Sequence, residues 1–379
     1  MDAIRRYIKR KIADRQREDN FRTLRLVGGT DFTSNDYIGL ARDAAFHQRV
    51  EAEVTAHRLQ GGSTGSRLLS GNSAYAEKLE SMIAGFHRSE AALLFNSGFD
   101  ANYGLLSALP YKGDTIIYDE LVHASIHDGM KAGKANRVAF HHNDLADLEA
   151  KLKAATGLKY VVTESLFSMD GDVAPLREIA ALCTAYDAGL IVDEAHATGV
   201  IGERGEGLVN QLGIEDLVLA RVHTFSKALG GHGAVILCSD DLRDFLINYC
   251  RPFIFSTAMP LHSLAAIRVA YDYFPGLNDR RRHLQKLIQL LQVSFTPSEQ
   301  MHLLKSDSPI QSLIIPGNAA VKHIASQLQQ GGYDVRAILS PTVPRGKERI
   351  RICLHSHNTV EEVQGLIAAI AKHTTVTAS

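Results

Sequence analysis

This sequence has no charge surplus, no closely spaced cysteine pair and no apolar run long enough to cross a membrane. Its 41 lysines and arginines face 42 aspartates and glutamates, a formal net charge of -1. A chain so balanced has no global electrostatic attraction for nucleic acid or an anionic membrane, and neither is expected as a partner. The four cysteines, Cys183, Cys238, Cys250 and Cys353, form no CxxC pair, and the chain is far too long for a disulfide-stapled miniature. No signal-peptide pattern is read at its start, so a reducing cytoplasm is the expected compartment. Internal repeats and low-complexity tracts are missing too.

Several catalytic signatures are also missing. "DEAH" (193–196) resembles a nucleotide-hydrolase motif, but that chemistry needs a GxxxxGK[ST] phosphate loop, and the sequence has none. "HASIH" sets His123 and His127 four residues apart, yet lacks the glutamate of HExxH and any evident third ligand, so no metal is expected. The glycine-rich "GSTGSRLLSG" fits no dinucleotide fingerprint. One local charge run exists, "RRYIKRK" near the N-terminus. Ile4, Tyr7, Ile8 and Ile12 fall there at helical spacing, which predicts a solvated helix face.

What remains is a large, regular pattern. Hydrophobic residues make up 45% of the 379 positions, enough for a sizeable core and two or three packing units. Apolar runs of strand length alternate with helical stretches: "AALLF" (91–95), "TIIY" (115–118), "RVAF" (137–140), "YVVTE" (160–164), "GLIVDE" (189–194), "ARVHTF" (220–225) and "AVILC" (234–238). Near-continuous apolar strands separated by helices predict a mainly parallel sheet covered on both faces, an α/β fold. Near residue 275 the pattern changes. A long helix is followed by strands "QSLIIP" (311–316), "YDVRAIL" (333–339) and "RIRICL" (349–354), and a last helix opens at Thr359-Val-Glu-Glu362 with capping-box spacing. The expected organisation is an N-terminal helix and arm over 1–45, a large α/β domain over 46–275 and a small α+β domain over 276–379.

In parallel α/β sheets, ligands gather at the carboxyl ends of the strands. Five strand ends here are followed by reactive groups: Gly98 and Phe99, His123, Glu164 and Ser168, Asp193 and His196, and Thr224 and Lys227. Lys227 is the anomaly, because a hydrated ammonium is a poor occupant of a connection between two buried strands. A partly desolvated lysine has its pKa lowered, and the neutral amine can form a Schiff base with an aldehyde. Pyridoxal 5'-phosphate supplies such an aldehyde. It also needs a carboxylate at its pyridine nitrogen, donors at its phenolate oxygen, a flat group against its ring and donors for its phosphate. Asp193, then His196 with Ser168, then His123, then the Gly98–Phe99 amides with Thr224 match those needs.

The chain also resembles the α-oxoamine synthases, pyridoxal-phosphate enzymes of the fold-type-I aminotransferase-like fold. The resemblance spans nearly the whole chain and rests on "FTSNDYIGL", "GGSTGSRLLSGN", "FNSGFDANYG", "DELVHASIHDG", "TESLFSMDGDVAPL", "VDEAHATGVIG", "TFSKALGGHG", "FSTAMP" and "PTVPRGKERIRICL". It implies that Lys227, Asp193 and His123 are catalytic. Lys227 would hold the cofactor, Asp193 its ring nitrogen and His123 its ring face. Gly98, Phe99, Glu164, Ser168, His196 and Thr224 would lie around it. Ser256 and Thr257 resemble residues that reach a phosphate across a homodimer interface with shared active sites. Arg22, Asn35, Thr342 and Arg351 match substrate-side positions, Arg351 as the carboxylate partner. The implied reaction is a decarboxylative condensation of an amino acid with an acyl thioester carried on coenzyme A or a carrier protein. The branch it looks most like serves biotin synthesis, with L-alanine and a pimeloyl thioester. A glycine C-acetyltransferase, another α-oxoamine synthase and an aminotransferase of the same fold are the alternatives.

Overall fold

The computed structural model describes residues 1–24, 26, 28–296 and 301–374. The chain divides into two compact units, Asn35–Ser168 with Val173–Arg281, and Met1–Ser34 with Met169–Asp172 and the residues from Arg282 onward.

Seven strands form the sheet of the larger unit. In spatial order they are Ala91–Phe95, Ala234–Cys238, Ala220–Thr224, Ala188–Asp193, Lys159–Glu164, Thr115–Asp119 and Asn136–Phe140. Ala234–Cys238 runs antiparallel to both its neighbours, and the remaining pairs are parallel. Six strands therefore end on the same side. The sequence lacks alternation here because both faces are covered: every residue of Ala91–Phe95, Ala220–Thr224 and Ala234–Cys238 is buried. The edge strand Asn136–Phe140 is the exception. Its exposed Asn136, Arg137 and Ala139 leave a polar, charged rim rather than a sticky edge. The core beneath is aliphatic, with Leu93, Ile117, Val161, Ile191, Val222 and Ile236 almost wholly enclosed. Truncating a Leu or Ile of this kind to Ala costs about 2–5 kcal/mol.

Helices start where the sequence offers a cap. Ser97 accepts a hydrogen bond from the Asp100 amide at the head of Gly98–Ala108, and Asp144 accepts from Ala146 and Asp147 at the head of Leu145–Ala154.

The smaller unit contains a four-stranded antiparallel sheet, in the order Arg336–Ile338, Arg349–Cys353, Ile310–Ile314 and His302–Leu303. The single strand read over 333–339 is in fact two. Tyr333–Asp334 pairs in parallel with Thr30–Asp31, whereas Arg336–Ile338 pairs with Arg349–Cys353. The chain changes partners at Val335, which is buried. The Thr30–Asp31 pairing also groups residues 1–34 with the C-terminal segment, where the sequence had set 1–45 apart. The capping box forms as spaced: Thr359 Oγ1 accepts from the Glu362 amide, and the Glu362 carboxylate accepts from the Thr359 amide. Helix Asp2–Arg17 buries no residue, so Ile4, Tyr7, Ile8 and Ile12 are exposed along with most of its charged residues. No described helix is long and apolar enough to cross a membrane.

Candidate active site

A cavity of about 220 Å³ opens at the carboxyl ends of the parallel strands in the larger unit. Eight of the sequence-derived candidates line it: Gly98, Phe99, His123, Glu164, Asp193, His196, Thr224 and Lys227. Size alone does not identify the site. A hollow of about 510 Å³ beside Arg67 and Glu80 is larger, but no lysine or histidine lines it.

Lys227 lies in the turn between Ala220–Thr224 and Ala234–Cys238. Backbone bonds fold that turn: Gly230 donates to Lys227 O at 2.9 Å, Gly231 to Phe225 O at 2.7 Å, and Phe225 to Gly233 O at 2.9 Å. Gly230 is required twice over. Its φ is +62°, and a Cβ there would lie 2.4 Å from the Ala41 amide nitrogen. The turn leaves Lys227 half-buried at the cavity wall.

Asp193 ends its strand with both carboxylate oxygens engaged. Oδ1 accepts from the Ala195 amide at 2.8 Å and Oδ2 from Asn102 Nδ2 at 2.7 Å. Asn102 also donates to Ser125 Oγ at 3.1 Å, and Ser125 Oγ lies 2.8 Å from His123 Nδ1. His123 caps the helix Ala124–Ala132 with that same nitrogen, which accepts from the Ser125 amide at 3.2 Å. Desolvation holds the His123 pKa below the ordinary imidazole value. Lys227 adds to the effect and Asp193 opposes it.

Glu164 is buried beside Asp193, and its Oε1 has no hydrogen-bond partner among the described residues. Burial first and the Asp193 charge second push its pKa well above the usual carboxylate range. His196 is buried as well, and its Nδ1 meets Tyr37 Oη at 2.7 Å. Tyr37 in turn donates to Asn35 Oδ1 at 3.1 Å.

Gly98 opens the helix Gly98–Ala108 against Thr224. A Cβ at residue 98 would lie 2.5 Å from Thr224 Cγ2, so only glycine lets the helix end approach the strand this closely. The first amides of that helix lack partners within the helix and favour an anion.

The other candidates fall elsewhere. Ser168 is half-buried in the loop after Lys159–Glu164 and is not among the lining residues. Ser256 and Thr257 line a separate hollow with Asn96, which donates to Thr257 O at 2.9 Å. Arg22, Thr342 and Arg351 belong to the smaller unit. There Arg22 Nη2 donates to Thr342 Oγ1 at 3.4 Å, and Arg351 lies in the strand Arg349–Cys353.

Sequence reasoning assigned nothing to Asn102, Ser125 or Tyr37. Each sits inside a quoted motif, "FNSGFDANYG", "HASIH" or "SNDYIGL". Asn102 also stands four residues after Gly98, on the same helix face, a signal that could have been used. The "GGSTGSRLLSGN" stretch has a structural task of its own. Arg67 makes two parallel bonds to the Glu80 carboxylate, at 2.8 and 2.9 Å, and Glu80 also accepts from the Leu94 amide.

The chain is similar to known proteins along almost its whole length. Residues 27–370 match the family described as aminotransferase class I and II. The 8-amino-7-oxononanoate synthase of Emericella nidulans is 44% identical, over 94% of this chain and 93% of its own. The solved 8-amino-7-oxononanoate synthase of Francisella tularensis superposes with a TM-score of 0.78 at 28% identity, covering 91% of this chain and 97% of its own. A serine palmitoyltransferase variant from S. paucimobilis, solved with a bound PLP–myriocin adduct, gives a TM-score of 0.83 at 27% identity, covering 90% and 86%. A lysine, a carboxylate and a histidine meeting at the ends of parallel strands, with relatives this similar along almost the entire chain, make this protein a member of the aminotransferase class I and II family and, within it, of the α-oxoamine synthases.

Proposed function

We propose that this protein is a cytoplasmic homodimer that condenses L-alanine with a pimeloyl thioester, with loss of CO2, to give 8-amino-7-oxononanoate for biotin synthesis. The observation that carries the reading is the 44% identity, over nearly full length, to a protein of that name, joined to a cavity holding Lys227, Asp193 and His123.

The cavity residues fit pyridoxal 5'-phosphate. Lys227 offers the amine, Asp193 a carboxylate, and Gly98 a helix end so close to Thr224 that a methyl group would fill the gap. Bound there, the cofactor supplies an aldehyde for attachment and a ring that stabilises negative charge at the substrate Cα.

The chain's own groups do the rest. Asp193 holds a proton at the ring nitrogen. Lys227 takes the Cα proton from alanine and later returns one. His123 would lie against the ring and would donate to oxygen as charge develops on the acyl group. His196 and Ser168 are assigned to the phenolate oxygen, and Phe99, Gly98 and Thr224 to the phosphate end. Glu164, whose pKa burial and the Asp193 charge raise, would sit beside Asp193 at the same end of the cavity. Arg351 is assigned to the alanine carboxylate, with Arg22, Asn35 and Thr342 on the substrate side. Ser256 and Thr257 are assigned to the partner protomer's phosphate, which suits their place in a separate hollow.

The test is mass spectrometry of the product formed from L-alanine and a panel of acyl thioesters, carried on coenzyme A and on a carrier protein. The proposal expects kcat/KM for alanine with pimeloyl thioester to exceed that for glycine with acetyl-coenzyme A. One methylene of pocket space discriminates by only about 10–200-fold, so weak glycine turnover decides nothing by itself. If the glycine and acetyl pair wins, the enzyme is a 2-amino-3-ketobutyrate ligase. Amino transfer without any thioester would make it an aminotransferase.

A further inference from the structure

Asn102 and Ser125 form a buried link between Asp193 and His123, and the chemistry of its members fixes the direction of every hydrogen bond in it. Asp193 Oδ2 can only accept, so Asn102 must present its amino group there, at 2.7 Å. The second amide hydrogen points to Ser125 Oγ at 3.1 Å. Ser125 Oγ lies 2.8 Å from His123 Nδ1, and because the hydroxyl oxygen has a second lone pair, the direction of that bond is set from the histidine side. The Ser125 amide is aimed at the same nitrogen from 3.2 Å. A backbone amide can only donate, so Nδ1 carries the lone pair, and the Ser125 hydroxyl is then the donor of the 2.8 Å bond.

The link is built into the packing. Asn102 and Ser125 are 3% and 0% exposed, so water does not compete for these groups. Ser125 reaches Asn102 because their helices touch closely at Gly129, where a Cβ would lie 2.8 Å from Tyr103 Cα.

We infer that Asn102 and Ser125 are positioning residues that hold His123 as the tautomer protonated on Nε2, so that the imidazole donates to the substrate rather than accepting from it. This rests on the proposed condensation, in which an oxygen of the acyl group gains negative charge and needs a donor. Burial, which keeps the ring neutral, is consistent with it. No covalent step is assigned to either residue, and no proton is lost along the link.

The experiment is two-bond 1H–15N correlation NMR on the full chain labelled with 15N-histidine, with and without pyridoxal phosphate. His123 is assigned by the signals lost in His123→Gln. The wild type is expected to show unprotonated Nδ1 and protonated Nε2 at neutral pH. In Ser125→Ala the Nδ1-protonated form becomes populated, and kcat with the preferred substrates falls by about a hundredfold, the scale of one misplaced acid–base group. KM for the amino acid and the cofactor dissociation constant stay within about twofold, because binding contacts are kept. Ser125→Thr, which restores a hydroxyl, recovers the wild-type tautomer. Asn102→Leu, of similar size, is the second variant should Ser125→Ala fail to fold. It leaves the Ser125 hydroxyl without a donor and shifts the tautomer in the same direction. Nδ1 protonation in the wild type, or an unchanged tautomer in a folded Ser125→Ala, overturns the inference. The spectra need no substrate, so a wrong substrate assignment and a wrong tautomer register separately.

Discussion

Glu164 and Asp193 face each other in register at the ends of two adjacent parallel strands, and both line the cavity. Two carboxyl groups so placed do not both ionise readily. Asp193 accepts from two donors, whereas Glu164 Oε1 has none among the described residues, and burial first and the Asp193 charge second raise the Glu164 pKa well above the usual carboxylate range.

That division predicts a pH dependence of stability. The folded pKa of Glu164 lies above its unfolded value of about 4.3. The folded state therefore holds a proton that the unfolded chain has released, and stability falls as pH rises from about 4.3 toward the folded value. Glu164→Gln is neutral throughout and lacks this slope. Urea unfolding between pH 5 and pH 8 should show a smaller loss of stability in the variant. Glu194, raised to about 7 mainly by burial, contributes equally to both proteins and cancels. An identical slope in the two would mean that Glu164 is ionised.

Lys227→Ala removes both the attachment point and the group that moves the Cα proton. Turnover should fall by at least about 10³-fold, while the fold, read by circular dichroism, is kept. Near-wild-type turnover would remove Lys227 from the mechanism.

Asp193→Asn keeps the shape of the side chain and its contacts with Ala195 but loses the charge. Hydrogen–deuterium exchange at Cα of L-alanine should slow by about two orders of magnitude or more, because the ring nitrogen no longer keeps its proton. Unchanged exchange would reassign Asp193.

Gly98→Ala forces a methyl group to 2.5 Å from Thr224 Cγ2. Overpacking of this kind costs about 1–3 kcal/mol, and here the cost should also appear as weaker pyridoxal-phosphate binding in absorbance titrations. Thr224→Ser removes the methyl group in the way, so the double variant should recover most of the loss. Simple additivity of the two changes would mean that the contact is not the cause.

The proposed shared site predicts complementation. Lys227→Ala and Thr257→Asp subunits, each inactive alone, should regain activity when co-expressed. A mixed dimer has one site with an intact lysine and an intact Thr257, giving about a quarter of wild-type sites in a random mixture. No recovery in a verified mixed dimer would place Thr257 with its own chain's site or with none.

Much of this was legible in the sequence because it is local. Strand runs, helical spacing, the Thr359–Glu362 capping box and the position of Lys227 after a buried strand are each written within a dozen residues. A parallel sheet places strand ends together by rule, which is why nine strand-end candidates could be assigned to one site before any fold was seen; eight of them line the cavity, and Ser168 does not. The family motifs added roles to those residues but no distances.

Only the tertiary structure decided what sits beside what. Asn102 and Asp193 are 91 positions apart, and Tyr37 and His196 are 159 apart. No local period carries such a pairing, because it depends on strand order and on how closely two helices pack. The same holds for Tyr333–Asp334, whose partner is Thr30–Asp31 and whose break from Arg336–Ile338 leaves no turn residue in the continuous stretch "YDVRAIL". The sequence determined which residue types end each strand. Register and helix contact then decided which of those groups share a proton, because hydrogen bonds form over about 3 Å and are blind to distance along the chain.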